Sequence, residues 1–67
     1  MGIVKVIEVI AASERSFDDA VQKAVTEAAK TVKNIRSVYV KEMKAHVDGD
    51  KITSYAVNAK ISFDKTS

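Results

Sequence analysis

The sequence predicts an α+β domain of β-α-β-β order, a three-stranded antiparallel sheet wrapped around one helix. Three observations predict it. The opening stretch "GIVKVIEVIA" is crowded with Val and Ile, residues that favour strands. A stripe of apolar residues at spacings of three and four runs through "SFDDAVQKAVTEAAKTVKNI", which is the period of an amphipathic helix. Two β-rich runs, "SVYVKEMKAHV" and "ITSYAVNAKISF", flank "DGDK", a sequence suited to a hairpin turn.

The first strand has two largely apolar faces. Val4, Val6, Glu8 and Ile10 share one, and Ile3, Lys5, Ile7 and Val9 share the other. Both faces are therefore expected to be covered, one of them by another subunit.

The helix has a clear start. Ser16 is a good N-cap with Asp19 three residues on, as in a capping box. Asp18 and Asp19 suit the positive end of the helix dipole. The stripe at 17, 20, 21, 24, 25, 28, 32 and 35 is mostly Ala and Val, so the helix can approach a sheet closely. Lys30 and Lys33 stand near its end, and Asn34 is placed to close it.

Gly49-Asp50 suits a two-residue turn of type II′ with Gly first. That turn sets Val47 opposite Ile52, Met43 opposite Ala56 and Ser37 opposite Ser62. In the last strand Tyr55, Val57, Ala59, Ile61 and Phe63 form the apolar face expected to pack on the helix. Ser54, Ala56, Asn58, Lys60 and Ser62 form the other face. The first strand is expected to pair with the last, leaving the second strand with a free edge that assembly would remove.

Residues 1–67 are read as a single domain. At this length folding buries only about 60% of the unfolded surface. Small domains compensate with disulfides, metals or oligomerisation. There is no cysteine, and His46 is the single histidine, so oligomerisation is the expected compensation. Eleven Lys and Arg are interspersed with nine Asp and Glu, for a net charge of +2. That pattern lacks the basic face of a nucleic-acid binder. No stretch is apolar enough for a membrane span and no secretory pattern opens the chain, so a cytoplasmic location is expected. No nucleophile elbow, phosphate loop or paired-carboxylate motif is present, which predicts a protein that is not an enzyme.

The stretch "SERSFDDAVQKAVTEAAKTVKNIRSVYVKE", followed by "HVDG" and "YAVNAKISF", resembles the dodecin family from about Lys5 to Phe63. The resemblance is carried by Lys5, Glu8, Ser16, Ala20, Val21 and Ala24. It also rests on Lys44-Ala45-His46-Val47, where relatives often read Arg-Gly-His-Ile. It implies a helix embraced by the sheet and twelve copies closed into a hollow shell. It further implies a storage role for flavins (riboflavin or FMN) bound as stacked pairs between subunits. Coenzyme A is a further ligand of some relatives.

The resemblance breaks where flavin is held. The family's tryptophan after the helix is Ser37 here, and the family's glutamine in the last strand is Ala56. The family-equivalent flavin positions are thus Ser37, Tyr39, Glu42, Lys44 and Ala56. An aromatic stack contributes about 0.5–1.5 kcal/mol beyond area burial, and a buried hydrogen bond a similar amount. Losing both costs roughly 1–3 kcal/mol, about tenfold to a hundredfold in affinity. Tyr39 shares a sheet face with Ser37 and has two readings, a substitute ring for flavin or an interface tyrosine.

Asp48-Gly49-Asp50 reads first as a turn. As a fragment of a calcium loop it lacks the Glu that completes an EF-hand, although symmetry can gather Glu42, Asp48 and Asp50 from several copies. A flavin-free dodecin holding calcium or coenzyme A, or serving only as a shell or interaction protein, is the alternative reading. His46 reads as structural or interfacial, Lys44 as a point charge for phosphate, and Lys60 as a solvated or pore-lining lysine. Lys5 and Glu8 lie on opposite faces of the first strand, and ion pairs between subunits would account for both.

Overall fold

The structure is a computed structural model that describes residues 3–65. It consists of β1 (Ile3–Ser13), α1 (Phe17–Ala29), β2 (Ile35–Asp48) and β3 (Lys51–Lys65). The sheet is antiparallel in the order β1-β3-β2, as the strand patterns predict. Gly2, assigned by sequence to the first strand, lies outside the described residues. Among the described residues no helix is long and apolar enough to cross a membrane.

The helix starts where the capping residues place it. Ser16 is the N-cap in extended conformation, and the Asp19 backbone N–H donates to its Oγ at 2.9 Å. The Ser13 hydroxyl donates to Asp19 Oδ2 at 2.6 Å and accepts from the Arg15 N–H at 2.9 Å. Ser13 is buried, so these bonds give its hydroxyl both a donor and an acceptor.

The helix ends six residues earlier than its apolar stripe suggests. Lys30 is the C-cap, and the Thr31 and Val32 N–H groups both donate to the Ala28 carbonyl. Asn34 therefore does not close the helix. It adopts a positive φ of 63° at the entry to β2, a conformation Asn tolerates better than most residues. Its carbonyl accepts from the Asp64 N–H at 3.0 Å. Ile35 belongs to β2, and its place in the stripe reflects packing on the same core.

That core is made of small side chains. Ala20, Ala24 and Ala28 bury one face of α1 against Val57, Ala59 and Ile61 of β3. Ile7, Val9, Ala11, Ile35 and Val38 pack around it. Phe17 and Tyr55 close one end, edge to face, with ring centroids 5.0 Å apart. The odd-numbered face of β3 thus meets the helix as its alternation predicts.

The hairpin turn is also as predicted. Asp48 pairs with Lys51, leaving Gly49-Asp50 as the loop. Gly49 has φ 68° and Asp50 is not among the residues with positive φ, which fits type II′. Beyond the turn the register differs from a simple ladder. Val47 faces Ile52 and Ser37 faces Ser62, but Met43 faces Val57, and Ala56 faces Lys44. The cause is a set of bulges. Thr53 is an extra residue on β3, and Lys41 and Arg36 are extra residues on β2.

Candidate functional site

The bulge at Lys41 decides which side chains share the outward face of the sheet. By strict alternation Ser37, Tyr39, Lys41 and Met43 would lie together. With Lys41 left out of the pairing, Tyr39 stands opposite Lys60, Glu42 opposite Asn58, Lys44 opposite Ala56 and His46 opposite Ser54. Directly opposed residues in an antiparallel pair share a face. Glu42, Lys44 and His46 are thus carried to the face of Ser37 and Tyr39, while Met43 turns to the helix side. Bulges commonly re-aim side chains beside functional sites in this way.

On that face lies a cavity of about 330 Å³ lined by Ile10, Glu42, Met43, Lys44, Ala56, Val57 and Asn58. Three of the five family-equivalent positions, Glu42, Lys44 and Ala56, meet there. Ser37 and Tyr39 lie farther along the same face, opposite Ser62 and Lys60, and do not line it. Tyr39 is well exposed. Sequence reasoning missed Ile10 and Asn58, which oppose each other across β1 and β3. The available signal was Asn58 itself, a residue type depleted in strands in the middle of one. Its Oδ1 is buried without a hydrogen-bond partner.

The surrounding charges are distributed along the same face. Glu8 stands opposite Lys60, and Lys41 reaches across β3 to Glu8 at 3.5 Å. Glu8 therefore finds a partner inside its own chain, in contrast to the inter-subunit pair expected. Both groups are about half exposed, so the pair adds little stability. Lys5 lies on the other face and lines a second, more open cavity with Thr31, Lys33, Asn34 and Lys65.

Flavin fits these residues poorly. Ser37 offers no ring and Ala56 no hydrogen-bonding group, and the exposed ring of Tyr39 lies outside the cavity. Asp48 and Asp50 flank Gly49 at the hairpin tip, and Glu42 sits three outward positions away from it. Among the described residues no three His, Cys, Asp or Glu groups come together to hold a metal within one chain.

Comparison with known structures finds close matches in shape. The chain superposes on a single-site variant of the Thermus thermophilus dodecin with TM-score 0.93 at 24% identity, covering all of both chains. It matches the dodecin of Streptomyces coelicolor with TM-score 0.91 at 24% identity, over 98% of this chain and 94% of that one. A calcium-chelating immunodominant antigen of Mycobacterium tuberculosis, a calcium dodecin with a novel calcium-binding site, is 34% identical. It covers 96% of this chain and 91% of its own, with TM-score 0.80. No curated protein sequence matches. The family described as Dodecin matches residues 3–65, the span over which helix, sheet and hairpin have been traced, and the chain belongs to the dodecin family.

Proposed function

We propose that this protein is a non-catalytic binding and storage protein. Twelve copies close into a hollow shell, and the outward-face cavity at Glu42, Lys44, Ala56 and Asn58 holds a small molecule between copies. The observation that carries the reading is the cavity itself, which gathers a carboxylate, an ammonium, an amide and apolar walls on one sheet face. Small-molecule sites combine apolar walls with a few converging polar groups in this manner.

Ser37 and Ala56 make the stacked flavin pair a poor occupant. Wild-type protein is expected to quench riboflavin or FMN fluorescence little at micromolar ligand. Ser37→Trp together with Ala56→Gln is expected to tighten flavin binding about tenfold to a hundredfold, the affinity equivalent of one stack and one buried hydrogen bond. A fluorescence titration of both proteins reads this directly. Strong wild-type quenching, or no gain in the double variant, would contradict it.

Calcium is the second reading, favoured by the 34% identity to the calcium dodecin of M. tuberculosis. Calcium needs six to eight oxygen ligands, so Glu42, Asp48 and Asp50 would have to be supplied by more than one copy. Calcium is then expected to raise the melting temperature over protein in chelator, because it binds only the folded assembly. Asp48→Asn with Asp50→Asn should abolish that rise.

A further inference from the structure

The amide oxygen of Asn58 is the unexplained group of the outward face. It is buried and, among the described residues, receives no hydrogen bond. A buried, unpaired acceptor is destabilising. A donor arriving from outside the chain removes that cost. Directly across on β2 stands Glu42, whose carboxylate takes part in none of the ion pairs among the described residues. Both line the same cavity, and directly opposed strand residues hold their Cβ atoms about 4.5–5.5 Å apart. Two acceptors, one of them charged, therefore stand side by side. Ile10 and Ala56 supply apolar walls, and Lys44 is the next outward residue along β2.

We propose that this cavity recognises a planar ligand edge made of adjacent N–H donors, the ring N–H and 2-amino edge shared by guanine and pterins. Lys44 is placed to meet a phosphate on the same ligand. The inference rests on the reading that the outward-face cavity holds a small molecule, and it names the class. A carboxylate accepts two neighbouring N–H groups in charge-assisted bonds. The second hydrogen of the 2-amino group is left for Asn58 Oδ1. Flavin presents a single N–H between two carbonyl oxygens, so its edge would set oxygen against oxygen here. Adenine presents an amine beside a ring acceptor and offers one donor position too few. A lysine contributes a point charge that suits phosphate.

The test is calorimetric titration of the full-length assembly with GMP, IMP, AMP, guanosine and pterin. GMP is expected to bind at least about tenfold tighter than IMP, which lacks the 2-amino group, and AMP weaker still. Glu42→Gln and Asn58→Leu should each weaken GMP at least about tenfold. Removing the phosphate, as guanosine, should cost affinity in the wild type and little in Lys44→Ala. Tighter binding of pterin than of GMP would identify the ring source as a pterin, and the reverse a guanine nucleotide. The melting temperature of ligand-free Asn58→Leu should hold or rise, since an unpaired buried acceptor is lost, and this confirms that the variant folds.

Equal affinity for GMP, IMP and AMP would overturn the proposal, as would absence of binding by both GMP and pterin. Dissociation of the assembly by Asn58→Leu would overturn it too, because the missing donor would then be a neighbouring copy. Inert GMP and pterin alongside FMN quenching gained by the Ser37→Trp, Ala56→Gln variant would sink this inference while leaving the small-molecule reading in place.

Discussion

At the scale of single residues, the backbone specialists explain most of what the sequence shows and hides. Gly49 was legible because a hairpin between two β-rich runs demands a positive φ at a known place. Its φ is 68°, and a Cβ built there meets nothing within 4 Å. The penalty for any other residue is thus backbone strain alone. Gly49→Ala is expected to cost about 1 kcal/mol, or a fall of about 4–8 °C in melting temperature, checked by thermal unfolding. Asn34 was half legible. Its type suits a left-handed conformation, but composition could not tell that it serves the entry to β2 and not the end of α1. Ser37 and Ala56 were the clearest departures from the family pattern. Asn58, in the same run as Ala56, passed as one more polar residue on the outer face, because burial of a single atom leaves no trace in alternation.

At the scale of elements, the helix owes its position to three alanines. Ala20, Ala24 and Ala28 are all but inaccessible, and nothing larger fits between α1 and β3 without moving one of them. Ala24→Leu is expected to destabilise the fold by about 1–3 kcal/mol through overpacking, measured by denaturant titration. The apolar stripe made this face readable. It also overstated the helix, since Val32 and Ile35 continue the spacing after α1 has ended at Ala29. Thr31 and Val32 are β-branched, which lowers their helix propensity. The chain must also turn back there to start β2. Strand partners were readable next to the turn and again from Val40 to Ser37, but not between the extra residues Thr53 and Lys41, whose shifts cancel. The extra residues Thr53 and Lys41 follow no composition rule, so the helix-side position of Met43 and the gathering of Glu42 and Lys44 beside Ala56 emerged only from the register.

At the scale of the whole molecule, the chain is too extended for its length. A compact domain of this size has a radius of gyration of about 11 Å, whereas this one has 13.7 Å and a long dimension of 51 Å. The helix accounts for about 20 Å of that. The hairpin projects past it with Met43, Val47 and Ile52 uncovered, while Val4, Val6 and Ile10 line an exposed face of β1. Ile61 and Val57 are the large side chains fully buried, which is little to hold a fold alone. Sedimentation at dilute concentration is accordingly expected to show a species far heavier than 7.3 kDa. Val6→Lys, a charge placed on the uncovered face of β1, should shift it toward small, poorly folded material. Length and the absence of cysteine lead to the same expectation. The elongated outline was not readable there, because it depends on strands running well beyond the helix they cover.

Lys41 has a consequence for geometry at large. It is surplus to pairing: without it Val40 would still meet Ala59 and Glu42 would still meet Asn58, in a straighter arm. A spare residue of this kind bends its strand. If copies of this chain close into the proposed container, deleting this one spare residue is expected to change how sharply the wall turns, and hence how many copies seal it.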